Sequence, residues 1–360
     1  MRRLQVKSAA GEYQVVVGRG AWRALARLRG YSSAFVLTEP GLWRRWGRTF
    51  ARAAGWGHVR PILVPAGETS KSLLMAGRVA SELLDRGADR RSLLLALGGG
   101  VVGDLGGFVA STYMRGIDYV QAPTTVLAQV DSAIGGKTAV NIGAMKNLVG
   151  TFYAPRLVVS EPAVLSSLSP RVFRSGFYEA VKHGILSGPG LFSWLEARLA
   201  GLRPKDTGLL ESVVARAAQV KVEVVTRDER EAGLRRILNL GHTFGHALEE
   251  ATAYRRFLHG EAVAWGILMA TRLAELIGLL APAVGGRISG LVHSVGPLPP
   301  IRGLREEKVL ALLPRDKKAV GGKVHWVLPE GIGKIKVTPE VPAAAVGSAF
   351  REVQRGVWNA

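Results

Sequence analysis

The first half of the chain alternates short apolar, β-branched runs with longer stretches of helical periodicity. Strands are predicted at residues 15–17, 34–38, 59–64, 93–97, 119–122 and 157–160. Between them, segments rich in Arg and Ala, such as 73–85, predict helices. Strands that alternate with helices are typical of an α/β fold with a mainly parallel sheet.

From about Pro170 the pattern changes to longer helical segments. Helices are predicted at residues 171–186, 190–199, 207–225, 234–252, 261–280 and 305–312. Two short runs at 323–329 and 331–336 predict a small hairpin near the end. Pro162 and the Ser169-Pro170 pair mark a boundary, so we expect an α/β domain over residues 1–168 and a mainly α-helical domain over 169–360.

Composition narrows the chemistry of any site. The chain has 360 residues, of which 48% are apolar, and it contains no cysteine. Disulfides and thiolate metal ligands are therefore excluded, and a transition metal must bind His, Asp or Glu. The beginning of the chain does not resemble a signal peptide, and the most apolar stretch, 93–110, is interrupted by glycines and Asp104. We expect a cytoplasmic protein without a membrane anchor.

The formal net charge of +20 favours anionic partners. Arg and Lys are scattered singly or in pairs, without the long basic arm or the basic and aromatic alternation of many nucleic-acid binders. Phosphorylated or carboxylated small molecules are therefore favoured over nucleic acid.

A cluster of glycines follows the apolar run that ends at Leu97, and a helical pattern follows the cluster. Glycines at a strand-to-helix turn allow backbone N–H groups to approach a pyrophosphate at the helix N-terminus. The spacing is not GxGxxG, and a tight turn with close helix packing is the equally good alternative.

A second polar stretch, 123–138, brings hydroxyls, Asp131, paired glycines and Lys137 together, and Lys146 and Asn147 follow. These groups suit a polyhydroxylated anion, whereas a solvated basic loop is the alternative. A Walker A motif is excluded because the GxxxxGK spacing is absent.

Three of the seven histidines fall within eighteen residues: His242, His246 and His259. On a helix, His242 and His246 share one face, and such a cluster favours a divalent metal site. Thr243 replaces the general base of a HExxH motif, so a metallopeptidase is disfavoured. Glu179 is either a carboxylate ligand or half of a surface pair with Lys182.

The glycine cluster, the polar stretch and the histidine cluster, together with further sequence blocks, resemble the 3-dehydroquinate synthase family of the sugar phosphate cyclase superfamily. The resemblance runs through nearly the whole chain, with Met145 and Ala66 as departures where the family pattern has Gly and Asp. The matching blocks lie at residues 67–72, 98–104, 110–116, 123–125, 130–138, 146–147, 176–182, 228–235, 239–246, 259–261 and 316–318.

The resemblance implies a lyase of the shikimate pathway. Its reaction converts 3-deoxy-D-arabino-heptulosonate 7-phosphate to 3-dehydroquinate and phosphate through transient oxidation by NAD, phosphate elimination, reduction and aldol closure. It also implies one divalent metal ion, zinc or cobalt, and a homodimer in which Arg115 reaches toward the neighbouring subunit. Neither nucleic acid nor a membrane is an implied partner.

The resemblance further implies a role for each residue. The metal ligands are Glu179, His242 and His259, which leaves His246 as a polar group of the active site. NAD is bound by Glu39, Gly67, Glu68, Lys71, Gly100, Val101, Val102, Gly103, Asp104, Thr124, Thr125, Lys137, Lys146 and Ser167. The catalytic and substrate-binding residues are Arg115, Asp131, Lys137, Lys146, Asn147, Lys182, Lys221, Glu231, Arg235, Asn239, His246, Lys317 and Lys318.

Three rival functions stay open. A sugar phosphate cyclase of secondary metabolism shares the fold, the metal and NAD, but differs in the residues that meet the substrate carboxylate. A dehydrogenase of the glycerol dehydrogenase type shares the architecture but has no use for so many cations. A nucleic-acid-binding protein leaves the histidine cluster unexplained.

Overall fold

The computed structural model of the chain describes residues 1–8, 11–56, 59–143, 145–313, 324–356 and 358. The chain divides into two compact units. The first unit contains Met1–Leu168 and Pro204–Arg230, and the second contains Ser169–Arg203 and Glu231–Ala360. The predicted division, a single cut after residue 168, differs from this one in the segment 204–230.

Strands are concentrated in the first unit. They are β1 (Arg2–Ser8), β2 (Gly11–Val17), β3 (Ala34–Thr38), β4 (Pro61–Leu63), β5 (Leu93–Gly98), β6 (Asp118–Pro123), β7 (Lys137–Ile142), β8 (Met145–Phe152) and β9 (Leu157–Ser160). Seven of these form one sheet in the order β1-β2-β9-β6-β5-β3-β4, and β7 pairs with β8 in a separate hairpin.

The pairing confirms a mainly parallel sheet. Strand β1 is antiparallel to β2, and the other neighbours in the seven-stranded sheet run parallel. The interior strand β5, between β6 and β3, is buried at each of its six positions, which explains its unbroken apolar sequence. The hairpin of β7 and β8 was not predicted, because exposed and partly exposed positions dominate β8 and its sequence resembles a polar loop.

Helices occur in both units. They are α1 (Pro40–Ala54), α2 (Leu73–Asp85), α3 (Gly100–Thr112), α4 (Pro170–Ser187), α5 (Pro189–Glu196), α6 (Thr207–Arg227), α7 (His242–Ala251), α8 (His259–Leu276), α9 (Pro282–Ser294), α10 (Glu306–Leu310) and α11 (Ala343–Arg355). No helix in the described part of the chain is long and apolar enough to cross a membrane.

Helix α6 belongs to the first unit, although it follows two helices of the second unit in sequence. The N-terminal ammonium group of Met1 lies 2.9 Å from Glu211, and Lys221 Nζ donates to Asp131 Oδ1 at 2.6 Å. The apolar face of a helix does not show which core it packs against. The sequence-based prediction therefore assigned α6 to the second domain, with its neighbours in the chain.

The second unit is mainly helical, as predicted, and ends in a hairpin of β10 (Trp326–Gly331) and β11 (Lys334–Thr338) followed by α11. The predicted continuous helix over 234–252 is wrong. Residues 234–239 form a 3₁₀ segment, and α7 begins only after Gly241. Gly241 has a φ of 80°, a left-handed conformation that glycine adopts readily and that interrupts the helical backbone. Helices α9 and α11 were not predicted.

Candidate active site

The first candidate region is the edge of the sheet where β3, β5 and β6 end. These strands are adjacent and parallel, so their carboxyl ends, followed by Glu39, Gly99 and Thr124, lie along one edge. The chain continues from β3 to β4 on one side and from β5 to β6 on the other. This reversal between β3 and β5 is a topological switch point, where open α/β sheets bind ligands.

Helix α3 begins at this switch point. Its N-cap residue is Gly99, and no side chain caps its first turn. The first N–H groups of a helix have no intrahelical acceptor, and they favour an anion. Gly100, Val101 and Val102 supply these groups, so the turn fits the pyrophosphate of a dinucleotide.

Other glycines of the cluster serve packing. A Cβ atom on Gly106 would lie 2.9 Å from Ala96 Cβ, and one on Gly107 would lie 2.4 Å from Thr138 Cγ2. Helix α3 therefore lies closer to β5 and β7 than any larger residue would permit. The packing interpretation is confirmed for these two positions, whereas the pyrophosphate role of 100–104 stays a prediction.

A buried ion pair lies beside this turn. Lys71 Nζ contacts Asp104 Oδ2, and Lys71 is 5% exposed. Burial raises the pKa of Asp104, although the charge of Lys71 acts in the opposite direction. A carboxyl whose pKa is raised by burial, with a cation as partner and in a predicted binding region, is typical of a functional site.

The predicted residues Gly67 and Glu68 precede Lys71 and lie next to the hairpin of β7 and β8. Asn141 donates from its side chain to Glu68 Oε1 at 2.8 Å and from its backbone to Lys71 O at 2.8 Å. Sequence reasoning missed Asn141, and its only signal was its place between two predicted groups.

The predicted cations of the first unit include Lys137 and Lys146 on the hairpin, Arg115 in a turn and Lys221 on α6. Lys137 begins β7, with Nζ 5.9 Å from the centre of the Phe152 ring, and Lys146 lies on β8. The backbone N–H of Asn147 donates to Asn141 Oδ1 at 2.8 Å. Arg115 is exposed and has a φ of 69°, a left-handed conformation that is uncommon outside glycine.

Four other residues predicted to bind NAD have definite surroundings. Ser167 Oγ accepts from Trp46 Nε1 at 3.1 Å and donates to Val164 O at 2.6 Å. Burial raises the pKa of Glu39, which begins α1 as its N-cap residue. Thr124 is buried and donates its N–H to Gly98 O at 2.9 Å, while Thr125 Oγ1 accepts from the backbone of Ala128.

The second candidate region is formed by three helices of the second unit. A Cβ atom on Gly260 would lie 1.8 Å from Ser175 O, and one on Gly266 would lie 1.8 Å from Gly241 O. Only glycine therefore allows α8 to approach both α4 and the start of α7 so closely. Sequence reasoning did not identify this seam.

The seam brings the three predicted metal ligands together. Glu179 lies one helical turn after Ser175, and its Oε1 atom is 3.7 Å from His242 Nε2 and 3.8 Å from His259 Nε2. The three ligand atoms lie within 4.8 Å of one another. Glu179 is fully buried, and its Oε1 accepts no hydrogen bond from a described residue. These separations leave room for a divalent ion with ligand bonds of about 2.0–2.2 Å.

Both imidazole rings turn Nε2 toward Glu179. Nδ1 of His242 lies 3.2 Å from Leu240 O, and Nδ1 of His259 lies 3.2 Å from Glu249 Oε2. Burial lowers the pKa of His259, but the charge and hydrogen bond of Glu249 together with the charge of Glu179 raise it, so the net pKa is raised. Sequence reasoning missed Glu249, although its spacing of three and seven residues from His246 and His242 places it on their face of α7.

His246 offers a second possible ligand group. Its ring centre is 5.4 Å from that of His242 and 6.1 Å from that of His259. His246, Glu249 and His259 also present ligand atoms within 4.8 Å of one another. The geometry alone therefore allows two arrangements that share His259.

The pairing of Glu179 with Lys182 is not a surface pair. Lys182 contacts Glu179 Oε2, and the two side chains are 1% and 0% exposed. The surface alternative is wrong because α4 is buried from residue 175 to residue 186. A cation held beside a candidate metal ligand in a dry environment is suited to an anionic substrate group.

Other predicted residues of the second unit lie in the segment before α7. Asn239 Nδ2 donates to Glu231 Oε1 at 2.5 Å, and Arg235 is 2% exposed. Glu231 has a φ of 62°, in the left-handed region. The predicted substrate residues Lys317 and Lys318 lie outside the described residues.

Comparison with known proteins agrees with this geometry. Residues 61–175 match the 3-dehydroquinate synthase N-terminal family, and residues 176–319 match the 3-dehydroquinate synthase C-terminal family. The chain is 43% identical to a 3-dehydroquinate synthase from Koribacter versatilis, over 98% of both chains.

Two solved structures share the fold over nearly the whole length. A 2-deoxy-scyllo-inosose synthase complexed with carbaglucose-6-phosphate, NAD⁺ and Co²⁺ is 26% identical, with a TM-score of 0.86 and coverage of 98% of this chain and 99% of that one. The 2-epi-5-epi-valiolone synthase from Streptomyces hygroscopicus subsp. jinggangensis, with NAD⁺ and Zn²⁺ bound, is 29% identical, with a TM-score of 0.86 and coverage of 99% and 100%.

Proposed function

Because the chain belongs to the 3-dehydroquinate synthase family, we propose that it converts 3-deoxy-D-arabino-heptulosonate 7-phosphate to 3-dehydroquinate and phosphate. The chain is an enzyme of the lyase class, like the relatives that carry this name. The observation that supports the proposal most strongly is the convergence of Glu179, His242 and His259 in the second unit.

The two candidate regions fit two different groups. Glu179, His242 and His259 would hold a divalent ion, zinc or cobalt, and the switch point of the first unit would hold NAD. Residues predicted to contact NAD are Glu39, Gly67, Glu68, Lys71, Gly100, Val101, Val102, Gly103, Asp104, Thr124, Thr125, Lys137, Lys146 and Ser167. When bound, NAD supplies a reversible hydride acceptor and the ion supplies a Lewis acid that orients and acidifies a substrate hydroxyl.

The side chains of this chain are proposed to bind and orient the substrate. Its carboxylate and phosphate groups need charge-assisted donors, which are shorter and stronger than neutral ones. The proposed donors and polar groups are Arg115, Lys137, Lys146, Asn147, Lys182, Lys221, Arg235, Asn239, His246, Lys317 and Lys318.

Two predicted carboxylates have positions that suit them to orient other groups of the site. Asp131 accepts from Lys221, and Glu231 accepts from Asn239, so each fixes the direction of a neighbouring donor. The assignment of the two domains follows: the first unit binds NAD, and the second binds the metal. A homodimer, in which the exposed Arg115 reaches a neighbouring subunit, is part of the same proposal.

A sugar phosphate cyclase of secondary metabolism is the second candidate function. The two solved structures with TM-scores of 0.86 are such enzymes, although their identity to this chain is 26% and 29%. Four residues favour a substrate that carries a carboxylate, because they are the cations and polar groups that the family resemblance assigns to it. They are Lys221, Arg235, Asn239 and His246.

Phosphate release from purified, zinc-loaded enzyme supplied with NAD tests the proposal. The seven-carbon keto acid phosphate is compared with glucose 6-phosphate and with a seven-carbon sugar phosphate that lacks the carboxylate. We expect release from the keto acid alone, no net accumulation of NADH, and loss of activity with a chelator that zinc restores.

The other outcomes identify the rivals. Release from only a sugar phosphate without a carboxylate would identify a cyclase of secondary metabolism. Net NADH formation from a polyol, with no phosphate released, would identify a dehydrogenase.

A further inference from the structure

The two imidazoles beside Glu179 both direct Nε2 toward it, but different groups contact their Nδ1 atoms. We propose that Glu249 is a positioning residue, whose carboxylate holds the ring of His259 so that Nε2 faces Glu179 and the bound ion. This inference rests on the proposed metal ligands Glu179, His242 and His259, and it adds a residue that neither the family resemblance nor the sequence had suggested.

The first support is the position of Glu249 relative to the ring. Glu249 Oε2 lies 3.2 Å from His259 Nδ1, while Nε2 on the other side of the ring lies 3.8 Å from Glu179 Oε1. A neutral imidazole has one N–H, and an ionised carboxylate only accepts hydrogen bonds. The proton is therefore held on Nδ1, and the lone pair of Nε2 points toward the proposed ion.

The second support is the register of the two helices. Helices α7 and α8 run antiparallel, because Gly241 lies against Gly266 and Gly245 lies against Ala262, where Cβ atoms would come within 3.1 Å or less of backbone oxygens. One further turn along this seam brings Glu249 to His259, at the first residue of α8. The contact thus follows from the register of the two helices.

The third support is burial. The side chain of Glu249 is 5% exposed, whereas the next residue, Glu250, is exposed to solvent. Carboxylates are seldom buried unless they are paired. An apolar residue of similar size often stabilises a fold more than a buried ionic group does. An acid at this position is therefore better explained by its contact with His259 than by stability.

The fourth support is that the contacts that hold the backbone near His259 are distinct from the contact that holds its ring. Glu261 Oε2 accepts from the N–H of Leu258 at 2.8 Å, and Arg171 binds both oxygens of Glu261 at 2.7 Å. These contacts fix the turn that begins α8, but none of them touches the imidazole. For His242, by contrast, Nδ1 lies 3.2 Å from the backbone carbonyl oxygen of Leu240, whereas the Nδ1 contact of His259 is with a side chain.

The test uses Glu249→Met, which keeps the length of the side chain, Glu249→Gln, which keeps an acceptor oxygen, and Glu250→Ala as the control on the neighbouring exposed acid. Each full-length variant is loaded with Zn²⁺ and titrated with a competing chelator, and the Co²⁺ form is followed by its visible absorption spectrum. We expect Glu249→Met to bind Zn²⁺ about 10–100-fold more weakly, with an altered Co²⁺ spectrum. Glu249→Gln should recover part of the affinity, and Glu250→Ala should match the wild type.

His259→Ala and Glu179→Ala distinguish failure of this inference from failure of the proposed ligand set. Unchanged affinity and spectrum in Glu249→Met, with metal lost in His259→Ala, would overturn the positioning role and leave the ligand set intact. Metal retained in both His259→Ala and Glu179→Ala would refute the ligand set itself. Metal lost in Glu249→Met but retained in Glu179→Ala would make Glu249 a ligand, which also overturns the positioning role.

A measurement on the wild-type protein keeps the inference testable even when a variant does not fold. Nitrogen chemical shifts of the histidine side chains in the zinc-loaded protein report which ring atom carries the proton. We expect His259 to be protonated at Nδ1 and bound to zinc through Nε2. Binding through Nδ1 would contradict a hydrogen bond to Glu249.

Discussion

The switch-point region of the first unit and the histidine region of the second are built from different parts of the chain. The switch-point region uses backbone N–H groups and small residues of one continuous stretch, 98–107, which runs from the last residue of β5 into the first two turns of α3. The histidine region uses side chains of Glu179, His242 and His259, which lie on three different helices. At the start of α3 the proposed ligand would meet backbone N–H groups, whereas the proposed ion would meet side chains alone.

Close backbone approach has a different purpose in each region. Around α3, glycines allow a helix to lie against the sheet and expose its N-terminus to an anion. Around α8, Gly260 and Gly266 allow three helices to approach until their side chains can share one ion. An added Cβ in the second region should therefore displace metal ligands, whereas one in the first should disturb only packing.

The largest effect is expected for Gly260→Ala. The new Cβ would lie 1.8 Å from the carbonyl oxygen of Ser175, a backbone atom that cannot rotate away. We expect a loss of at least about 1–3 kcal/mol in the free energy of unfolding, as for an overpacked core. Metal affinity should also fall, because separation of α8 from α4 moves His259 away from Glu179. Denaturant unfolding and a chelator titration measure the two effects.

Gly290→Ala is the matched control for this helix substitution. Gly290 lies on α9, is exposed, and an added Cβ would meet nothing within 4 Å. Its stability should be unchanged or slightly raised by the higher helix propensity of alanine. Equal behaviour of the two variants would show that the close contact between α4 and α8 does not hold the ligands in place.

A smaller effect is expected for Gly107→Ala in the first unit. Its Cβ would lie 2.4 Å from Thr138 Cγ2, a side-chain methyl group that can move with the β7 strand. We expect a loss of about 1–2 kcal/mol in the free energy of unfolding, at the lower end for overpacking. Gly77→Ala on α2, where nothing lies within 4 Å, is the control. Metal affinity should stay at the wild-type value in both variants. A lower metal affinity in Gly107→Ala would show that packing around α3 also positions the metal ligands.

Sequence predicted the parts of the fold that depend on local pattern. The apolar runs of β3, β5 and β9 were recognised because buried parallel strands have unbroken apolar sequences. Helix α2 was predicted with the same bounds that the structure shows. The break before α7 was missed because the apolar spacing over 234–252 fits one continuous helix and does not show that Gly241 has a left-handed backbone conformation.

The metal ligands could not be derived from spacing. The interval of four residues between His242 and His246 suggested a ligand pair, whereas a carboxylate from α4 and an imidazole from α8 converge on His242. Glu179 was equally compatible with a surface pair, because burial of α4 depends on the helices packed around it. Only the resemblance to a known family named the set that the structure brings together.

Anomalous diffraction at the zinc edge, on crystals of the zinc-loaded protein, would locate the ion and identify the side chains that bind it. We expect one strong peak at about 2.0–2.2 Å from Glu179 Oε1, His242 Nε2 and His259 Nε2, the usual lengths of zinc bonds to oxygen and nitrogen. A peak bound instead by His246, Glu249 and His259, or no peak in this region, would refute Glu179, His242 and His259 as the metal ligands.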